Sequence, residues 1–413
     1  MKLLDNFRDY VKERDKDAVY RIWYETGWLK KEQKEAMDLF LEGSKEILVA
    51  DIDGEPECLV TTVPAVIQYQ DNELPLSCIT AVTTSRIARK QGFASKLAAK
   101  AVARDVSQGF IVSGLGMFEQ GFYNRLGFGT GSYEHWYSFD PSTVDVGVEP
   151  RVPKRITAED WEDVYKNLKN RMKKHGYVTF TEKKGTKGML KWDEKSFGLG
   201  YYDDDGELSH HIWFVVKDTH QGPYWVRWMA FQNYDQFLEL MGLIKNLGDQ
   251  VKLISMNEPS GIQLQDLLKE PFRRRRVTEK SKFENRLSAS AYWQIRINDL
   301  QRCLEKTSFD GDEVDFNLKL HDPIEELLEN DPSWKGISGR YVVHMGKKSW
   351  AEEGEDMSLP TLEADVGAFS RMWLGVRPAT GLSVTDKLSG PKDLLEKLDK
   401  IICLPDPHPD WDM

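Results

Sequence analysis

Three apolar segments follow one another with almost no chain between them, Glu46 to Ile52, Cys58 to Tyr69 and Leu76 to Thr84. Asp53-Gly54 and Asp71-Asn72 supply the turns, so the three read as an antiparallel meander. The third runs into Arg86-Ile87-Ala88-Arg89-Lys90-Gln91-Gly92-Phe93-Ala94, after which Ala94, Leu97, Ala98, Ala101 and Val102 recur at helical spacing. Strand, glycine-bearing loop, helix is an order with a chemical consequence. The amides that open a helix are unpaired and lie at the positive end of its dipole, so a pyrophosphate can be held there without a dedicated lysine. Gly92 lets the backbone come close to such a group. The same short pattern also fits an ordinary strand-to-helix connection, and the flanking elements have to decide. A helix over Asp15 to Thr26 is expected before the meander; a strand, Phe110 to Leu115, and the run Phe122-Tyr123-Asn124-Arg125-Leu126-Gly127-Phe128-Gly129 come after the loop helix.

At 413 residues the chain exceeds what one hydrophobic core usually supports, so two or three domains are expected. A second block begins near Arg151. Thr157 with Asp160 predicts an N-cap for a helix to about Lys174, and Asp205-Gly206 turns a hairpin. A strand at Tyr224 to Phe231, a helix with Phe237, Leu240, Met241 and Ile244 on one stripe, and a strand at Val251 to Met256 complete it. The order repeats that of the first block without its Arg/Gln-rich glycine loop, so no second cofactor site is expected. From about Ala291 a third block reads as strands at Tyr292 to Ile297, Val314 to Leu320 and Arg340 to Met345, and a helix at Ala364 to Leu374. It ends in a tail stiffened by Pro405, Pro407 and Pro409.

Composition narrows the function classes. A net charge of −11 argues against general nucleic-acid binding and is better suited to a cationic small molecule or peptide. The run Arg273 to Arg276 reads as a solvated face or an inter-domain contact. Cys58, Cys78, Cys303 and Cys403 form no C-x-x-C pair and the N-terminal stretch is charged, so a reducing cytoplasm is expected. No apolar run reaches the ~20 residues of a membrane span. The eight histidines show no metal-ligand spacing, with His210 and His211 adjacent on a strand and facing opposite ways, and no G-x-S-x-G elbow occurs. Neither metal catalysis nor a serine hydrolase is expected.

The Arg89 to Ala94 loop followed by Phe122-Tyr123 resembles the GNAT acyl-CoA transferase superfamily. The three-block order, with Trp293-Gln294-Ile295-Arg296-Ile297-Asn298-Asp299, Leu318-Lys319-Leu320-His321-Asp322 and Leu374-Gly375 in the last block, is similar to the enhanced-intracellular-survival (Eis) family of N-acetyltransferases. The resemblance covers essentially the whole chain. It implies an α/β (α+β) fold of two tandem GNAT units, the second degenerate, and a C-terminal sterol-carrier-like domain, with limits at residues 1–145, 146–287 and 288–413. It also implies acetyl-CoA as co-substrate, no metal, a small-molecule or peptide amine as acceptor, and a homo-oligomer, a hexamer in relatives.

By the same resemblance Val82 and Thr84 hold the pantetheine arm, Arg89, Lys90, Gly92 and Ala94 belong to the pyrophosphate loop, and Tyr123 is the general acid that protonates the departing thiolate. The carboxylate of Met413 aligns with the family's base. A free α-carboxyl has a pKa of roughly 3.5, so such a base must be desolvated or act through water. Two departures stand out. Relatives more often end in phenylalanine than in Met413, and carry a small polar residue where this chain has Phe118. Glu25, Glu119 and Asp412 are candidates to steer a polyamine-like or lysine-like acceptor, or else plain surface charge; Trp23, Tyr24 and Trp28 either wall the acceptor cleft through cation–π contact or pack in the core. The rival readings are an acetyl-CoA sensor without turnover and a carrier of an apolar ligand.

Overall fold

The computed structural model describes residues 7–328 and 333–411. Its first part runs β1 (Phe7–Asp9), α1 (Lys12–Thr26), α2 (Lys34–Gly43), β2 (Glu46–Ile52), β3 (Glu55–Tyr69), β4 (Asn72–Thr84), α3 (Phe93–Ser107), β5 (Val112–Gly116), α4 (Gln120–Asn124) and β6 (Gly129–Thr130). The expected meander is there, with β2, β3 and β4 antiparallel and turned at Asp53-Gly54 and Gln70-Asp71. Helix α3 lays Phe93, Leu97, Ala98, Ala101 and Val102 on this sheet; the small alanines let it sit close, and each large side chain buried there contributes ~2 kcal/mol.

The middle of the chain runs β7 (Glu134–Phe139), β8 (Lys154–Ile156), α5 (Trp161–Asn170), β9 (Val178–Phe180), α6 (Lys183–Leu190), β10 (Ser196–Tyr202), β11 (Leu208–Val216), β12 (Tyr224–Ala230), α7 (Tyr234–Asn246), β13 (Ile254–Asn257), α8 (Pro271–Thr278) and β14 (Arg286–Ser290). Thr157 and Asp160 do form a capping box, but on the short turn Ala158–Asp160 that precedes α5. The helix stops at Asn170, not near Lys174, because Arg171 adopts an extended backbone and turns its guanidinium onto Asp410 of the C-terminal tail.

The last part runs β15 (Trp293–Ile297), α9 (Leu300–Glu305), β16 (Val314–His321), β17 (Gly339–Met345), β18 (Trp350–Glu353), β19 (Thr361–Asp365), α10 (Val366–Trp373), α11 (Ala379–Thr385), β20 (Leu388–Ser389) and α12 (Lys392–Ile401). Strand order is β1-β2-β3-β4-β5-β15-β6 in the first sheet, with β9 added on β3, then β14-β7-β13-β12-β11-β10-β8 in the second and β18-β17-β16-β19-β20 in the third. Strands are thus exchanged along the chain. β15 sits between β5 and β6, although it follows the whole second sheet in sequence, and β7, which precedes that sheet, pairs within it. A fully buried ion pair, Arg296 Nη2 to Asp322 Oδ2 at 2.7 Å, fixes β15 to the end of β16. Gly129 and Gly367 let β6 and α10 touch backbone to backbone, since a Cβ on Gly129 would lie 2.2 Å from the Gly367 carbonyl. Among the described residues no helix is long and apolar enough to cross a membrane.

Candidate active site

β4 and β5 pair in parallel only from Leu76 opposite Val112 to Cys78 opposite Gly114. Past that point they splay and open a cleft of about 1020 Å³, walled by residues 79–84 of β4 on one side and by Gly116, Met117 and Phe118 on the other. Opposite Val60 the β4 strand carries two residues, Ala81 and Val82, a bulge that puts Ala81 at φ 51°. The bulge turns a peptide unit away from the β3 ladder at the place where the cleft begins.

The loop from β4 to α3 closes one end. Lys90 and Gly92 both have left-handed backbone, φ 61° and 81°, and Gly92 is the residue that caps α3. Having no side chain, it satisfies none of the opening amides of the helix. A Cβ there would meet nothing within 4 Å, so its conformation, together with the open space of the cleft, is what requires glycine. Among the described residues the cleft lining contains three cations, Arg89, Lys90 and Arg125, and no carboxylate. Arg125 was not among the residues singled out from sequence; its one signal is the position three residues after Phe122, whose ring its guanidinium overlies at 5.5 Å.

Tyr123 stands on the opposite wall, 3% exposed, on the short helix α4. Phe118, Phe122 and Phe128 surround its ring at centroid distances of 5.9, 4.8 and 6.3 Å. Among the described residues nothing hydrogen-bonds its hydroxyl, and burial raises its pKa above the ordinary phenol value. It is therefore a neutral O–H donor at physiological pH.

Val82, Thr84, Arg89, Lys90, Gly92, Ala94, Phe118, Tyr123 and Trp28 all line this one cleft. The other described candidates do not. Trp23 is wholly buried one layer behind Trp28, at a ring distance of 5.2 Å, and its indole N–H donates to Thr83 Oγ1 at 3.1 Å. Glu25 accepts from the Arg86 amide at 3.3 Å, and Glu119 from the Gly121 amide at 3.4 Å as the cap of α4, so both carboxylates serve local backbone. Phe118 is 74% exposed at the rim against Phe122. Asp412 and Met413 lie outside the described residues.

The tail leads back to the cleft from the far end of the chain. After α12 it crosses Gly176, where a Cβ would lie 2.3 Å from His408 N, and the His408 amide donates to the His175 carbonyl at 3.2 Å. The Ser132 hydroxyl donates to the Pro407 carbonyl, and Arg171 holds Asp410 through Nη2–Oδ1 at 2.7 Å. Trp411, 2% exposed, packs edge-on against Phe180 at 5.1 Å. It lines two smaller cavities that continue the cleft. One, of about 180 Å³, shares Trp28 and Thr80 with it, and the other, of about 310 Å³, shares Gly116 and Met117.

Comparison with known proteins agrees with this geometry. The family model described as an acetyltransferase (GNAT) domain matches residues 8–131, which hold the cleft, its loop and Tyr123. No curated protein matches the chain in sequence. Among solved structures, a probable N-acyltransferase from Enterococcus faecalis V583 superposes with a TM-score of 0.79 at 19% identity, covering 98% of this chain and 99% of its own. A GCN5-related N-acetyltransferase from Anabaena variabilis gives 0.78 at 14% identity, covering 98% and 99%. Eis1 from Mycobacterium abscessus gives 0.76 at 15%, covering 99% and 100%. Residues 8–131 thus match the GNAT acetyltransferase domain, in a chain whose fold is shared over nearly its whole length with Eis1.

Proposed function

We propose that the protein transfers an acetyl group from acetyl-CoA to a primary amine by direct attack, in the splay between β4 and β5. The observation that carries this reading is the cleft itself, which joins three cations without a carboxylate to a run of uncapped helix amides and a neutral, buried tyrosine. That set suits a pyrophosphate at one end and a leaving thiolate at the other. Bound there, acetyl-CoA supplies a thioester as acyl donor. Arg89, Lys90 and the amides opening α3 hold the diphosphate, while Arg125 adds positive charge on the opposite wall. The peptide turned out by the Ala81-Val82 bulge offers an N–H to the carbonyl oxygen as negative charge develops on it. As the C–N bond forms and the C–S bond breaks, Tyr123 gives its proton to the sulfur.

The proton released by the amine needs an acceptor, and the proposed one is the Met413 carboxylate. What supports it is the course of the tail, buried over Pro407, His408 and Pro409 and again at Trp411, from which two more residues reach at most ~7 Å. Thiol release from acetyl-CoA, measured over a panel of amines, tests the whole reading. Tyr123→Phe is expected to lower kcat by roughly 10²–10⁴-fold with acetyl-CoA affinity unchanged. Extension of the chain beyond Met413 is expected to lower turnover as well. Acetyl-CoA binding without thiol release for any amine would replace the transferase with a sensor.

A further inference from the structure

Resting on the acetyltransferase reading, we infer that the acceptor is a monoamine carrying an aromatic ring, an arylalkylamine, whose ring enters the 180 Å³ cavity beside the cleft. That cavity is walled by Trp28, Phe40, Phe180, Trp192 and Trp411, drawn from the α1–α2 connection, α2, β9, the segment after α6 and the tail. Trp28 meets Phe40 and Trp192 edge-on at 6.1 and 5.8 Å, so the walls are fixed by one another. A cavity of about 150 Å³ is enough for a benzene ring, and this one is a little larger. It opens onto the cleft at Thr80, next to the bulge, so a ring seated in it leaves a short carbon chain to carry the nitrogen to the reacting carbonyl.

Charge points the same way. Among the described residues the cavity lining holds one acid, Glu182, and one base, Arg227, and the cleft lining holds no acid. Glu25, which pairs with Arg21 and the Arg86 amide, and Glu119, which caps α4, line neither the cleft nor the cavity. A polyamine or an aminoglycoside brings several ammonium groups, each of which loses hydration, and beyond the proposed base the described lining offers them one carboxylate, Glu182. A single ammonium on an aromatic molecule is held by the tryptophan faces until it gives up its proton. Trp411 belongs to the tail whose end is the proposed base, so the acceptor rather than the acyl chain is the group that must pass it.

Gly185 gives a clean test. It lines the cavity and not the cleft, and a Cβ on it would meet nothing within 4 Å, so Gly185→Leu fills the space while favouring the helix it sits in. Thiol release from acetyl-CoA would be compared for phenylethylamine, propylamine and spermidine. Wild type is expected to favour phenylethylamine over propylamine by roughly tenfold or more in kcat/KM. Gly185→Leu should abolish that excess and keep propylamine turnover and acetyl-CoA affinity. Trp192→Ala, which removes a wall instead of filling the space, should show the same selective loss. Preference for spermidine, or phenylethylamine rates equal in wild type and Gly185→Leu, would overturn the inference and leave the transferase standing. So would octanoyl-CoA turnover that wild type supports and Gly185→Leu loses, since the cavity would then hold the acyl chain. If no amine is acetylated, the transferase reading fails, and calorimetry with phenylethylamine decides the cavity: binding weakened by Gly185→Leu supports an aromatic-amine site, and equal or absent binding removes it.

Discussion

The first two sheets of this chain carry the same device and put it to opposite ends. In each, a strand leaves an antiparallel meander, pairs in parallel with a later strand for two or three residues and then splays from it; β4 does so against β5, and β12 against β13. In each, a helix connects the two. The first connection, residues 85–92, ends on the left-handed Gly92 and leaves the helix uncapped in front of an open cleft. The second, residues 231–233, ends on Asn233, whose Oδ1 accepts from the Gln236 amide at 3.0 Å while Gln236 Oε1 accepts from Gln232 N at 2.7 Å. Its splay is filled by the protein itself. Arg171, His408, Pro409 and Asp410 line what is left between Val226, Trp228, Met256 and Asn257, a cavity of about 60 Å³. The cap and the occupant, not the strand order, make one splay a ligand site and the other a berth for the tail.

Gly92→Val breaks the first half of that comparison with the largest effect. A β-branched residue at φ 81° costs about 1–3 kcal/mol, which the loop escapes only by turning its amides out of place. The acetyl-CoA Kd is expected to rise roughly tenfold to a hundredfold by calorimetry. An unchanged Kd would mean that the uncapped amides play no part in binding.

Much of the first site could be read from the sequence because it is contiguous. Loop, glycine and helix fall within residues 86–102, and Tyr123 lies close behind, so local spacing is enough. Trp23 and Glu25 show where this fails. Both lie at the end of α1, beside Trp28, and only packing decides that Trp23 faces Thr83 and Glu25 faces the Arg86 amide. Strand exchange is hidden for a related reason. Tyr292 to Ile297 reads as a strand, the later β15, while β7 was not singled out, and which neighbour each takes depends on residues far away in sequence. The aromatic cavity draws on Trp28, Phe180, Trp192 and Trp411 and leaves no local trace at all.

Acid should discriminate the two sheets. His211 is fully buried in β11, with Nδ1–H donating to Asn167 Oδ1 at 2.6 Å and Nε2 accepting from the Trp228 indole at 2.9 Å, and the second of these bonds needs the neutral ring. Burial lowers its pKa to about 3 from an ordinary 6.5. The unfolded chain therefore takes up the proton first, and the stability that His211 contributes is present above pH 6.5 and lost as pH falls towards 3. The loss is at most ~1.4 kcal/mol per pH unit. His210, His175 and His408, depressed mainly by burial as well, sit in the second sheet or against the tail and add to the same window. Denaturant midpoints between pH 7 and 5 should fall for wild type, and more gently for His211→Gln, whose amide can keep one donor and one acceptor. Identical pH slopes would show that His211 is not the source of the acid sensitivity.

Asn233→Ala is the smallest change and the sharpest control. It removes the side chain that occupies the opening amides of α7, and loss of such a cap typically costs ~1 kcal/mol of stability. If a free helix start were all that a splay needs, uncapping α7 would create a second anion site. Arg171, His408, Pro409 and Asp410 already line the second splay, where the cavity is about 60 Å³ against about 1020 Å³ before α3. The expected outcome is therefore a modest fall in the denaturant midpoint with acetyl-CoA still bound at one equivalent per chain. A second equivalent by calorimetry would show that capping alone, and not the seated tail, separates the two sheets.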